Sequence, residues 1–234
     1  MSVATGWRGA LVVRPEPGNA RTAARLQAGD CDVMSWPLFA PAPVAWEVPD
    51  AGDYDALLVT SANAVRLGGP GLARLGALPV IAVGTETAAV AREAGLRVAA
   101  VGDGGVEEAL AAGRAIGLTR PLHLAGREHV DSGQPTIVVY ASADVPADGA
   151  AFAAAAGGRI VLLHSVRAAN RVAKMLGSNR EATGIAALSA KVATAAGIGW
   201  GMTLIADVPT DAALCSLLLQ RAIDRAASGG DKRA

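Results

Sequence analysis

Aromatic side chains are scarce in this chain: two Phe, two Tyr and four Trp among 234 residues, 3% in all. Hydrophobic residues still make up 52%, so Ala, Val and Leu must fill the core. A chain of this length is long for one compact domain and comfortable for two small ones. Long apolar runs are missing as well. No run of ~18 apolar residues is free of Gly, Pro and charge, so no membrane span is expected. The start, "MSVATGWRGALVVRPEPG", lacks the basic region, apolar core and small-residue cleavage site of a secretion signal. Only two cysteines occur, Cys31 and Cys215, each isolated in an apolar segment. They make no metal spacing, and a cytoplasmic location fits them. Charge of one sign is also absent: the net charge is +0, which argues against a general nucleic-acid binder but leaves room for a local basic pocket.

The missing motifs narrow the chemistry further. No G-x-G-x-x-G follows the first strand, since "VVRPEPGNA" has one glycine, and there is no phosphate-loop Gly-Lys-Ser/Thr. "GDGG" (102–105) reads as a turn and helix start only. A nucleotide-dependent enzyme is therefore disfavoured. His123, His129 and His164 are not at metal spacing, so no metal is expected, and no G-x-S-x-G elbow is present. His164 stands beside Ser165, but adjacent strand residues face opposite sides, which argues against a nucleophile–base pair.

What is present is an alternation of strand-length apolar runs with Ala-rich helical stretches. Strands are expected at Leu11–Val13, Asp32–Ser35, Ala56–Val59, Val80–Val83, Arg97–Val101, Leu122–Leu124, Ile137–Tyr140, Ile160–Leu163, Ile185–Leu188 and Met202–Ala206. Helices are expected at Asn19–Gln27, Ala62–Leu67, Thr85–Ala94, Val106–Gly113, Gly149–Ala156, Val166–Leu176, Ala190–Ala196 and Thr210–Ala226. Strands separated by helices mean parallel sheet with helices on both faces. "PLFAPAPVAWEVP" holds four prolines in thirteen residues, Pro37 to Pro49, so it is neither helix interior nor central strand. It reads as a crossing between two bodies. The first seven residues and the tail "ASGGDKRA" read as mobile ends.

The alternation contains a repeat. "LLVTSANAV" (57–65) resembles "VLLHSVRAA" (161–169), and "VIAVGTETAAVA" (80–91) resembles "IAALSAKVATAA" (185–196). The same strand–helix–strand–helix unit thus occurs twice in one order, which suggests two similar lobes; the alternative is that Ala-rich α/β sequence looks alike. In both halves a buried run ends at a hydroxyl where a helix begins: Thr60 and Ser61 before Ala62, and Ser165, after His164, before Val166. Gly84 opens "VGTETA" in the same way. Such helix starts, with small residues leaving backbone N–H groups uncovered, can serve as anion sites. Ordinary helix caps need the same residues.

Taken in order, "VVRPEPGNARTAARLQ" (12–27), "PLF" (37–39), "YDALLVTSANAVR" (54–66), "LPVIAVGTETAAVAREAG" (78–95), "PLHLAGRE" (121–128), "VVY" (138–140), "VLLHSVRAA" and "DVPTDAALCSLL" (207–218) resemble the uroporphyrinogen-III synthase family over nearly the whole chain. The resemblance implies an α/β fold of two similar flavodoxin-like (HemD-like) lobes, each a parallel sheet flanked by helices, joined by a two-strand linker. One lobe would be residues 1–37 and 143–234, the other 38–142. It implies closure of hydroxymethylbilane, a linear tetrapyrrole bearing eight carboxylates, to uroporphyrinogen III with inversion of the last ring, without metal or cofactor. Loss of the substrate hydroxyl gives an azafulvene, which a pyrrole attacks to form a spiro intermediate. It further implies a cytoplasmic monomer that binds no nucleic acid or membrane and makes transient contact at most with the enzyme supplying its substrate.

Position by position, the resemblance carries substrate contacts onto Ser61, Thr87 and Ser165, with Thr60, Ala62 and Gly84 beside them at the helix starts. Its tyrosine falls on Tyr140, the expected acid, because a phenol can donate to the departing hydroxyl. Arg14 is a candidate carboxylate partner. Lys191, with Ser189, stands where the family often has a Gly and a Thr-rich start, so an ammonium would act there. The stretch "GREHVDSGQPTIVVY" has only 13 residues between Gly126 and Tyr140, too few for the helix the family usually places there. The competing expectation is a non-catalytic binder of an anionic small molecule, a degenerate synthase domain.

Overall fold

A computed structural model describes residues 6–229, with side chains described through residue 220. The chain divides into two compact units, one holding the chain up to Ala40 and from Asp144 onward, the other Pro41–Ala143.

In the first unit, strands β1 (Ala10–Val12), β2 (Val33–Ser35), β9 (Ile160–Leu163), β10 (Gly184–Ala187) and β11 (Met202–Ile205) form a sheet in the order β11-β10-β9-β1-β2. All its pairings are parallel. Helices α1 (Gly18–Gln27), α6 (Gly149–Ala156), α7 (Val166–Leu176), α8 (Ala190–Ala196) and α9 (Asp211–Gly229) cover it. Side chains alternate across each strand. Leu11, Val161 and Ile185 therefore enter one core with Phe152 and Val172, while Ala10, Val12, Leu162 and Ala186 enter another with Leu26 and Leu214. Burial on both faces is why these strands read as continuous apolar runs.

The second unit carries β3 (Phe39–Pro43), β4 (Ala56–Val59), β5 (Val80–Val83), β6 (Val98–Gly102), β7 (Pro121–Gly126) and β8 (Thr136–Asp144) in the order β3-β8-β7-β4-β5-β6. β4, β5, β6, β7 and β8 pair in parallel. Helices α2 (Ala62–Leu67), α3 (Gly69–Arg74) and α4 (Thr85–Glu93) accompany the face of Leu57, Val59 and Leu122; α5 (Val106–Ala115) covers Leu58 and Ile81 on the other. The repeat expected from the sequence is present in these elements. Apart from α3, which follows α2 in the first, β4–α2–β5–α4 and β9–α7–β10–α8 have the same order, and in each the two strands are parallel neighbours. The proline-rich segment supplies β3 at the sheet edge, where Pro41 and Pro43 remove no ladder donor from a central strand.

Several expectations need correction. α3 was not expected, because "GGPGLAR" carries three glycines and a proline; Pro70 sits in its first turn, and Leu72 is buried beneath it. β7 is longer than Leu122–Leu124, since Pro121 and Gly126 are also buried and paired. α9 begins at Asp211, with Thr210 accepting from the Ala213 N–H, and it runs to Gly229 rather than ending at Ala226. Of the expected mobile ends, residues 1–5 and 230–234 lie outside the described residues, while Trp7 packs partly buried against the core of Val12 and Leu162.

β7 and β8 are parallel neighbours joined by residues 127–135 alone, without a helix. A parallel connection usually needs a dozen residues or more and a helix. Here a polar loop takes that place, and it decides what the cleft contains.

Candidate functional site

Parallel sheets gather ligands beyond the carboxyl ends of their strands. At that end of the second unit a cleft of about 900 Å³ opens between the start of α2, the turn into α5, the loop 127–135 and Tyr140. Thr60 and Ser61 line it. Ser61 has extended backbone and its hydroxyl accepts from the Asn63 N–H at 3.3 Å, so it caps α2. Tyr140 on β8 lines the opposite side. Its ring lies over the Gly126 backbone: a Cβ at Gly126 would sit 2.6 Å from Cζ and 2.8 Å from the hydroxyl. Only glycine at the end of β7 admits the phenol there.

The sequence-derived site residues divide accordingly. Thr60, Ser61 and Tyr140 come together at the cleft. Ala62 is buried at the first position of α2, and Gly84 caps α4 with φ 83°, a conformation that favours glycine. Thr87 is 5% exposed within α4 and does not line the cleft. Arg14, Ser165 and Lys191 belong to the other unit. There Ser165 caps α7 by accepting from the Ala168 N–H at 3.1 Å, and Lys191 is exposed on α8.

Arg14 already has a carboxylate. Its guanidinium donates to Asp211 at 3.2 Å, and the same carboxylate accepts from the Thr22 hydroxyl at 2.6 Å, from His164 Nε2 at 2.8 Å and from Arg25. Burial alone would raise the Asp211 carboxyl, but hydrogen bonds from Thr22 and His164 and the Arg14 charge hold it below its usual value. His164 is pushed down by burial and by Arg14. His164 and Ser165 thus turn to separate partners. Among the described residues no group of three or more His, Cys, Asp or Glu could hold a metal, and no helix is long and apolar enough to cross a membrane. Cys31 and Cys215 are free thiols.

The residues that sequence reasoning missed are the polar ones behind the cleft. His123 is fully buried on β7. Its Nε2 lies 3.1 Å from the Thr60 hydroxyl and its Nδ1 3.0 Å from the Ser132 hydroxyl, and the His129 ring meets it edge-on at 5.5 Å. Burial, helped by His129, lowers its pKa to about 4. The signal was available. In "PLHLAG" a histidine interrupts the apolar strand at the position opposite in parity to Leu122 and Leu124. The rim is acidic: Glu107, Glu128 and Asp131 line it with His129, and among the described residues no lysine or arginine does.

Residues 20–132, just under half of the chain, match the family model described as uroporphyrinogen-III synthase HemD. No curated protein matches the chain. Solved structures of uroporphyrinogen III synthase from Thermus thermophilus are similar over most of both chains. The native wild-type form is 16% identical, covering 94% of this chain and 99% of that one with a TM-score of 0.39. A triple mutant is 18% identical over the same shares at 0.40, and a further structure is 19% identical over 92% and 99% at 0.39.

Proposed function

We propose that this chain, which belongs to the uroporphyrinogen-III synthase HemD family through residues 20–132, closes hydroxymethylbilane to uroporphyrinogen III and inverts the last pyrrole ring on the way. The observation that carries the reading is the cleft itself, which places the hydroxyls of Thr60 and Ser61, the start of α2 and the Tyr140 phenol around one space of about 900 Å³. In this reading Tyr140 donates to the departing hydroxyl, which leaves as water, and general-acid help of this kind is worth ~10²-fold or more. The azafulvene left behind is attacked by the substituted pyrrole carbon, and the resulting spiro centre opens and recloses to the inverted ring. The chain has little covalent work to do. It must hold the two reacting ends together, which is catalysis by orientation. Ser61 and the N–H groups at the start of α2 take a carboxylate arm, and Thr87, Ser165, Arg14 and Lys191 remain proposed supporting contacts.

A second reading has its own observation. The acidic rim of Glu107, Glu128 and Asp131, without a lysine or arginine among the described lining residues, suits a ligand rich in N–H donors. A non-catalytic binder would need no more. The isomer assay separates the two. Hydroxymethylbilane closes spontaneously to the unrearranged type I isomer, so purified protein should shift the product to type III. Type I alone, at the spontaneous rate, refutes the synthase reading.

A further inference from the structure

The buried imidazole behind the cleft has a consequence for how the cleft greets a ligand. His123 does not itself line the cleft, but both residues whose hydroxyls bind it do: Thr60 at Nε2 and Ser132 at Nδ1. A third hydroxyl, that of Thr136, stands 3.4 Å from Nδ1. Thr136 has already committed its hydrogen, donating to the Gln134 carbonyl at 2.8 Å. It can therefore offer Nδ1 only a lone pair. The Ser132 oxygen meanwhile accepts from the Gln134 N–H at 3.4 Å. A ring that stays neutral carries one N–H, and its two nitrogens have opposite roles.

Two arrangements follow. With the hydrogen on Nδ1, the ring donates toward Ser132 and Thr136. The bare Nε2 then accepts from the Thr60 hydroxyl, which turns its lone pairs to the cleft. With the hydrogen on Nε2, the ring donates to Thr60, Ser132 donates to Nδ1, and the Thr60 hydrogen is released toward the cleft. One ring hydrogen changes nitrogen and two hydroxyls rotate; no proton is gained or lost. The fixed lone pair of Thr136 favours the first arrangement when nothing occupies the cleft. A carboxylate beside Thr60 needs a donor and favours the second.

We propose that His123 is a positioning residue that sets Thr60 as an acceptor in the empty cleft and as a donor to a bound carboxylate, by moving its single ring hydrogen from Nδ1 to Nε2. Only the carboxylate ligand is taken from the synthase reading; the coupling of Thr60, His123, Ser132 and Thr136 stands on their geometry.

The test uses the full chain labelled with ¹⁵N at histidine, since protonated and bare ring nitrogens resonate far apart. In the free wild type the hydrogen should be on Nδ1. Ser132→Ala combined with Thr136→Val removes both acceptors there and should move it to Nε2, while Thr60→Val should leave it on Nδ1. If the double variant keeps the hydrogen on Nδ1, the coupling is wrong. Uroporphyrin, a stable octacarboxylate, is then added to the wild type, and the hydrogen should pass to Nε2. Uroporphyrin bound at the cleft with the hydrogen still on Nδ1 overturns the proposal. Uroporphyrin that leaves every cleft resonance unmoved instead counts against the cleft as a carboxylate site, and the free-chain arm decides the coupling by itself. In turnover, Thr60→Val and His123→Phe should each raise KM about tenfold, the worth of one hydrogen bond to a charged group, and kcat should change much less. Together they should cost no more than either alone, whereas additive losses would mean that His123 serves packing only.

Discussion

Acid should loosen the Pro41–Ala143 unit before its carboxylates titrate, and His123 sets the size of the effect. In the folded chain this imidazole titrates at about 4, against an ordinary 6.5. Burial is the main cause, and the neighbouring His129 adds to it while Asp131 opposes it. Between those two values the unfolded chain takes up a proton that the folded chain refuses, so stability falls as pH falls. Linkage gives about 2 kcal/mol lost between pH 7 and pH 5, and on the order of 3 kcal/mol by pH 4. Asp55 acts in the same sense, in a lower pH window. Although burial raises its carboxyl, the Thr119 and Arg120 N–H groups bring it below 3.8, and the stability it contributes is lost only at still lower pH. The assay is urea unfolding at several pH values, followed by fluorescence. Trp46 is the one tryptophan of this unit, its indole donating to the Gly68 carbonyl at 3.0 Å, so replacing Trp7, Trp36 and Trp200 with Phe leaves a local reporter. His123→Gln in that background should flatten the slope between pH 6.5 and 4. An equal slope in both proteins, or a His123 that titrates near 6.5 by NMR, would refute the reasoning.

Gly126→Ala should drive the Tyr140 ring out of place, costing about 1–3 kcal/mol as an overpacked site, and should lower turnover to the level of Tyr140→Phe; calorimetry and initial rates check it. Tyr140→Phe should itself cost more in rate than Ser61→Ala, which removes one hydrogen bond to a charged group and should cost roughly tenfold or less, and any enzymatic product that remains should still be type III. Asp211→Ala strips the shared acceptor from Arg14, Thr22, His164 and Arg25, leaving Arg14 with the Thr22 hydroxyl and no carboxylate. Because the cluster is partly exposed, the substitution should destabilise its unit by about 1–2 kcal/mol, read as a lower urea midpoint.

The elements legible in the sequence were those in which burial and local chemistry agree. Ala56–Val59, Val80–Val83 and Ile160–Leu163 are apolar on both faces and match their observed bounds, and α7 lies where Ser165 caps it and Leu176 is its last residue. α3 was hidden because its glycines oppose a helix, and what holds it is tertiary: its own Leu72 enters the core of Leu57 and Leu122. The cleft was half legible. Thr60 and Ser61 announce themselves as the end of a buried run, but Ser132 is joined to them only through His123, sixty-three residues from Thr60 and nine from Ser132 along the chain. No local pattern carries that link. It appears once β4 and β7 are neighbours and residues 127–135 join β7 to β8 as a polar loop.

Under the synthase reading proposed above, that loop also decides which part of a tetrapyrrole the cleft can face. A carboxylate arm placed 4 Å from Glu128 or Asp131 would cost about 1 kcal/mol in bulk water and about 4 kcal/mol at an effective dielectric of 20. Several such encounters would expel an octacarboxylate. The arms must therefore run toward Ser61 and the start of α2, and away from the loop. The pyrrole N–H edges carry the opposite need. They are donors, and the carboxylates of Glu107, Glu128 and Asp131 are acceptors. In this orientation the acidic rim becomes a condition on how the substrate folds, with its N–H edges turned to the carboxylates and its arms turned out. A fold of the chain imposed by where charge is refused needs no cationic clamp. It also explains how a cleft without a lining arginine among the described residues could serve an anionic substrate.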